Sequence, residues 1–203
     1  MTFSLEWRRI FNKFRLKNRE FEFMFKPYNG DEIVSFDCET TGLDTKNDEI
    51  VSIGAVIIKG DKILTSKKFE IYLKPQKELK AKSVTVHHLR ACDIKDGYTQ
   101  AKGVSEFLNF IENKTLLGYY AEFDVAMINR VFKEISGTKL PNKVIEISAL
   151  YHDKKQKLIP DSFVNLSYDA ILKDLDLPYL SRHSALNDAI MDALIYIKLK
   201  NSL

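Results

Sequence analysis

Residues 33–44 read IVSFDCETTGLD, Ile33 to Asp44. An apolar run leads straight into two carboxylates, Asp37 and Glu39, one residue apart, and then into a Thr-Thr-Gly turn. Asp and Glu are poor strand formers, and like charges this close repel. Residues two apart on a strand share a face, so Asp37 and Glu39 project together while Cys38 points the other way, into a core. A fold needs neither acid there, and a metal ion accounts for both. The backbone N–H groups of the turn Thr40-Thr41-Gly42 are expected to be free beside the pair, where they can hold a phosphate or sugar oxygen. Asp44, Asp48 and Glu49, beyond the turn, read as solvated loop charges.

The surrounding chain of 203 residues suits one domain, with or without an appendage. A hydrophobic content of 45% and a charged content of 29% exclude a disordered chain. Thirty-one Lys and Arg stand against twenty-eight Asp and Glu, a balance too even to name a partner by itself. Cys38 and Cys92 form no metal or disulfide pattern, and no apolar run is long enough to span a membrane. The N-terminus lacks the uninterrupted apolar stretch of a signal peptide, so a cytoplasmic location is expected.

Residues 1–28 differ in character from the rest of the chain. Arg8, Arg9, Lys13, Arg15, Lys17 and Arg19 are interleaved with Trp7, Ile10, Phe11 and Phe14 at helical spacing. This predicts a basic amphipathic extension, with Pro27, Asn29 and Gly30 marking the start of a second unit over 29–203. Strands are expected over Glu32–Cys38, Ile50–Lys59 and Lys62–Leu73, the last two joined by a Gly60-Asp61 hairpin. Helices over Ala101–Asn113 and Phe123–Ile135 alternate with short strands over Leu116–Tyr120 and Val144–Ile147. A basic loop at HDKKQKLIPD, carrying Lys154, Lys155 and Lys157, precedes helices over Ser162–Leu175 and Ser184–Leu199. Leading strands followed by alternating helices and strands predict an α/β layer with a mixed sheet.

Two further acids stand where the pattern does not ask for them. Asp124 ends GYYAEFD, where a short strand passes into a helix; Asp188 lies in HSALND, inside an apolar helical pattern that His183 precedes. Together FDCETTGLD, GYYAEFD and HSALND resemble the three exonuclease motifs of the DEDDh 3′→5′ exonuclease superfamily, over roughly residues 31–200. The resemblance implies a ribonuclease H-like exonuclease fold: a mixed central sheet of about five strands flanked by helices. It also implies four metal-ligating acids, Asp37, Glu39, Asp124 and Asp188, holding two divalent ions, Mg²⁺ or Mn²⁺. His183 is then the general base that takes the proton of the attacking water. Asp192, one helical turn after Asp188, reads as a supporting or solvated acid.

By the same resemblance Leu43 packs on the terminal bases, and Thr40, Thr41, Gly42 and His87 line the nucleotide pocket. Departures from the motifs bear on substrate preference: His88 and Leu89 replace a Gly-Ile pair, Tyr119 and Tyr120 replace His-Asn, and Glu146 stands where an Asp-Thr pair is common. The expected activity is hydrolysis of the terminal phosphodiester of DNA in proofreading or repair, with nucleic-acid 3′ ends as substrate and a polymerase as possible partner. An RNA exonuclease, a phosphodiesterase of small nucleotides and a non-catalytic adaptor for nucleic acid or polymerase are the alternatives.

Overall fold

The computed structural model describes residues 2–76, 89–180 and 184–201. Its sheet grows from the hairpin expected at Gly60-Asp61. β2 (Ile50–Lys59) and β3 (Lys62–Tyr72) pair antiparallel with Lys59 opposite Lys62. Gly60 sits at φ +60, a left-handed conformation glycine enters without a steric cost. β1 (Glu32–Thr40) lies antiparallel to β2, and on its other side parallel to β4 (Thr115–Gly118). β5 (Val144–Glu146) pairs parallel with β4, which gives the order β3-β2-β1-β4-β5. This is the mixed five-stranded sheet expected, with the acid-bearing strand at its centre.

Seven α-helices and a 3-10 helix (Arg19–Phe25) complete the described chain, the α-helices being α1 (Thr2–Arg15), α2 (Ala91–Ile94), α3 (Gln100–Ile111), α4 (Ala121–Ser136), α5 (Ile147–Leu158), α6 (Tyr168–Asp174) and α7 (Ala185–Asn201). Strand alternation sorts the core into two layers. Val34, Phe36 and Cys38 of β1 and Ile53, Ala55 and Ile57 of β2 face one cluster with Phe107 of α3 and Phe132 of α4. Val56 and Ile58 face the other, with Ile171 of α6 and Met191 and Ile195 of α7. Asp37 and Glu39, at odd positions of β1, therefore belong to the α7 face, and Cys38 is buried on the opposite one, as the two-residue period requires.

Gly54 decides how close α7 comes. It stands opposite Asp37 on β2. A Cβ there would lie 2.1 Å from the Leu186 amide nitrogen and 2.2 Å from the Ala185 carbonyl carbon. The first turn of α7 thus rests on bare strand backbone. Ser35, on the same face of β1, is also small; its hydroxyl is buried and finds no partner among the described residues.

Two helical segments differ from expectation. The basic HDKKQK run is not a loop but the body of α5. Ile147 and Tyr151, one turn apart, bury its inner face, and Glu146 caps it by accepting the Ser148 N–H at 3.1 Å. Lys155 pairs with Asp174 at 2.6 Å and Lys154 donates to the Leu199 carbonyl, so only Lys157 is left exposed as expected. The helix expected over Ser162–Leu175 forms only from Tyr168, because the Asn165 side chain accepts the Ser167 N–H at 3.0 Å and Ser167 stays extended as N-cap.

At the N-terminus the expected amphipathic helix forms as α1, and its apolar stripe faces outward. Trp7, Ile10, Phe11 and Phe14 are exposed, while Arg9 donates to the Lys26 carbonyl at 2.7 Å and the Asn12 carbonyl accepts from Thr138 at 2.9 Å. Leu16, Phe21, Met24 and Phe25, just beyond it, join the main core, with the Phe21 ring edge-on to Phe132 at 5.4 Å.

Candidate active site

β1 carries Asp37 and Glu39 side by side, and α7, passing over Gly54, brings Asp188 down to them in its first turn. One carboxylate oxygen from each of the three lies within 4.8 Å of the others. Asp124, in the first turn of α4, is not in that 4.8 Å group but is buried beside it. Its place follows from the sheet. β4 pairs with β1 only as far as Ser35, so the edge of β1 beyond that point is open. Asp124 stands at this edge, near enough to the Cys38 backbone amide for that amide to hold its carboxyl pKa partly down.

This crowding raises Asp37, Glu39 and Asp124. Burial, then the charges of Asp124, Glu39 and Asp188, push Asp37 well above the usual carboxylate range. Burial and Asp188 raise Glu39 to about 7. Asp124 is also raised, by burial and then by Asp192, although the Cys38 amide offsets part of it. The leading influences on Asp37 and Glu39 all disfavour their charged forms. Oxygen-only donors that repel one another and give up their protons only with difficulty fit hard divalent cations.

Asp192 is neither solvated nor a member of the 4.8 Å group. It is buried, and both its oxygens are engaged: one accepts the Tyr119 N–H at 2.8 Å, the other the Tyr168 hydroxyl at 2.9 Å. Burial raises it to about 8, and these two hydrogen bonds oppose the rise. Glu146 holds the same turn from the far side, one oxygen accepting the Tyr120 N–H at 2.9 Å and the other the Ala121 N–H at 2.8 Å.

The Thr40–Leu43 turn is more tightly tied than expected. The Thr41 N–H donates to the Glu49 carbonyl at 2.9 Å, and its buried hydroxyl bonds Asp48 at 3.0 Å. Asp48 also accepts the Asp44 N–H at 2.9 Å, so this acid is a buried brace and not a solvated charge. Glu49 likewise accepts the Gln76 N–H at 2.9 Å, whereas Asp44 is exposed as expected. The Thr40 hydroxyl bonds the Gly42 carbonyl at 2.8 Å, and a Cβ on Gly42 would meet an Asp48 oxygen at 2.4 Å. Leu43 is left 86% exposed at the tip, the position from which an apolar side chain can meet a ligand. His87 and His183 lie outside the described residues.

Residues 34–196 match the RNase_T exonuclease family model. The chain belongs to the RNase_T exonuclease family. With its motifs it falls in the DEDDh 3′→5′ exonuclease superfamily. It is 32% identical over 172 residues to DNA polymerase III PolC-type of Caldanaerobacter subterraneus subsp. tengcongensis, covering 85% of this chain and 12% of that protein. The chain therefore spans about an eighth of that relative's length. It is 29% identical over 171 residues to DNA polymerase III subunit epsilon of Rickettsia conorii, covering 82% and 72% of the two chains. Among solved structures, cell-death related nuclease 4 superposes with a TM-score of 0.71 at 16% identity, covering 85% of this chain and 64% of that one. E. coli Exonuclease I in complex with a dT13 oligonucleotide gives 0.70 at 13% identity, covering 84% and 41%. The fold is the ribonuclease H-like exonuclease fold expected.

Sequence reasoning missed Tyr168 and the role of Gly54. Neither carries a local signal, since Tyr168 opens a short helix like any buried aromatic and Gly54 sits in an unbroken apolar strand.

The carboxylate crowding has a measurable consequence in metal-free protein. Glu39 moves from 4.5 to about 7 on folding, so between those values the folded chain binds more protons than the unfolded one. Stability therefore falls as pH rises through that window, by roughly 2 kcal/mol or more. In EDTA, the Tm is expected to drop between about pH 5 and pH 8. Saturating Mg²⁺ or Mn²⁺ is expected to raise it again, more at the higher pH. A differential scanning calorimetry series checks this, and a flat Tm in EDTA contradicts it.

Proposed function

We propose that the protein is a metal-dependent 3′→5′ exonuclease that hydrolyses the terminal phosphodiester of DNA and releases nucleoside 5′-monophosphates. The observation that carries this is the convergence of Asp37, Glu39 and Asp188 within 4.8 Å, from two elements distant in sequence, on a face that raises the proton affinity of Asp37 and Glu39. Asp37, Glu39, Asp124 and Asp188 would hold two divalent ions, Mg²⁺ or Mn²⁺. When bound, such ions supply positive charge to the phosphodiester and acidify water. His183, five residues before Asp188, takes the proton of the attacking water as general base.

The Thr40–Leu43 turn, braced by Asp48 and tied to α4 through Arg130, which donates to the Thr45 carbonyl at 3.0 Å, presents Leu43 to the terminal base. His87 lines the nucleotide pocket. Apolar and stacking contacts of this kind read no sequence, which suits degradation of any 3′ end.

DNA is favoured over RNA because the relatives that cover most of this chain are DNA polymerase III proteins. The same relatives suggest a polymerase as partner, with residues 1–28 as a basic N-terminal extension whose Leu16, Phe21, Met24 and Phe25 pack into the core of the catalytic unit. No helix among the described residues is long and apolar enough to cross a membrane. Initial rates on matched single-stranded DNA and RNA, each 5′-labelled, test the substrate: DNA is expected to be degraded at least about 10-fold faster, since a site fitted to one sugar discriminates by a kcal/mol or more. Equal or faster cleavage of RNA would contradict it.

A further inference from the structure

Three consecutive backbone N–H groups at the entry to α4 are all taken by carboxylates from other parts of the chain. Asp192 of α7 accepts Tyr119, and Glu146 at the end of β5 accepts Tyr120 and Ala121, one with each oxygen. The turn needs holding. Tyr120, the N-cap of α4, sits at φ 53 in the left-handed region and has no side-chain capping bond of its own. Helix N-termini are ordinarily capped by a local Ser, Thr, Asn or Asp. Here the cap is supplied by Glu146, 26 residues from Tyr120 and itself fixed by the Ser148 hydroxyl at 2.9 Å.

Asp192 is the costlier of the two. A neutral acceptor would satisfy the Tyr119 N–H, yet the chain buries a further carboxylate among repelling ones and orients it with the Tyr168 hydroxyl. Tyr168 also packs edge-on against Tyr119, ring centroids 4.8 Å apart. The turn is thereby held from β5 on one side and from α6 and α7 on the other. Asp124 lies three residues beyond Ala121, in the first turn of the helix so anchored.

We propose that Glu146 and Asp192 are positioning residues that clamp the Tyr119–Ala121 backbone and so fix Asp124 relative to Asp37, Glu39 and Asp188. This rests on the reading of those four acids as metal ligands. The expected signature is weaker metal binding and a lower kcat with little change in KM for the nucleic acid, because neither residue is placed against substrate. Groups that orient ligands in this way typically contribute about 10–100-fold in metal affinity or activity.

The test compares wild type with Glu146→Ala, Glu146→Gln, Asp192→Ala and Asp192→Asn. Mn²⁺ binding is read by isothermal titration calorimetry, kcat and KM on single-stranded DNA, and folding by circular dichroism. Asn at 192 can still accept the Tyr119 N–H and donate to the Tyr168 oxygen, whereas Gln at 146 cannot accept both N–H groups. Asp192→Asn is therefore expected to stay within a few-fold of wild type, and Glu146→Gln to lose about 10-fold in Mn²⁺ affinity and kcat. Both Ala variants are expected to lose more.

Folded Ala variants with wild-type Mn²⁺ affinity and kcat would overturn the clamp. If the Ala variants do not fold, the Gln and Asn pair decides: equal behaviour of the two overturns it. A wild type that binds no Mn²⁺ would instead sink the metal-ligand reading itself.

Discussion

Asp188→Ala is expected to lower the exonuclease rate by on the order of 10³-fold or more while leaving the protein folded and, in EDTA, more stable than wild type. The two effects have one cause. Asp188 meets Asp37 and Glu39 within 4.8 Å and helps to raise both. Removing it relieves repulsion in the metal-free protein and also removes an oxygen ligand. Relief of roughly 1 kcal/mol corresponds to a Tm rise of about 2–4 °C for a domain of this size. A residue that served the fold alone would show the opposite pattern, with stability and activity falling together. Calorimetry in EDTA and a rate assay in Mg²⁺ on the same preparation separate the two. Retained activity, or a lower Tm, would contradict the assignment.

Gly54→Ala is expected to be damaging although it changes one hydrogen to a methyl group in a strand, where alanine is ordinarily tolerated. The added carbon would stand 2.1 to 2.5 Å from backbone atoms of Ala185 and Leu186. Backbone at a helix start cannot swing aside as a side-chain end can, so α7 must lift off β2. Overpacking of this kind costs about 1–3 kcal/mol, occasionally more, and the upper end applies here. That lowers the Tm by roughly 10 °C. The same displacement carries Asp188 away from Asp37, which stands opposite Gly54. Activity is therefore expected to fall at least about 100-fold even below the melting range, since an ångström of misplacement is enough. A variant with wild-type Tm and rate would show that α7 does not rest on this strand.

These two residues also mark how far the sequence could be read. The two-residue period of β1 put Asp37 and Glu39 on one face and Cys38 in the core, and that is a local property of a strand. The Gly60-Asp61 hairpin and the bounds of β2 were legible for the same reason. Asp188's approach was not, except by resemblance, because it depends on a helix crossing a glycine more than a hundred residues earlier. The misread segments divide in the same way. The lysines of α5 hide an inner face of only a few side chains, so a real helix looked like a loop. Asp48 looked like one more surface acid, since nothing adjacent shows that the chain folds back to Thr41. Asp192 shared a helical face with Asp188 by spacing, but its two hydrogen bonds come from the end of β4 and from α6, and only the fold brings those together.

The most direct test of the proposed centre is a 5′-labelled single-stranded DNA incubated with wild-type protein in Mg²⁺, in Mn²⁺ and in EDTA, with Asp188→Ala alongside. The predicted result is a ladder that shortens from the 3′ end with either metal, and intact DNA both in EDTA and with the variant. Undiminished cleavage in EDTA, or intact DNA with folded wild type in both metals, would contradict it.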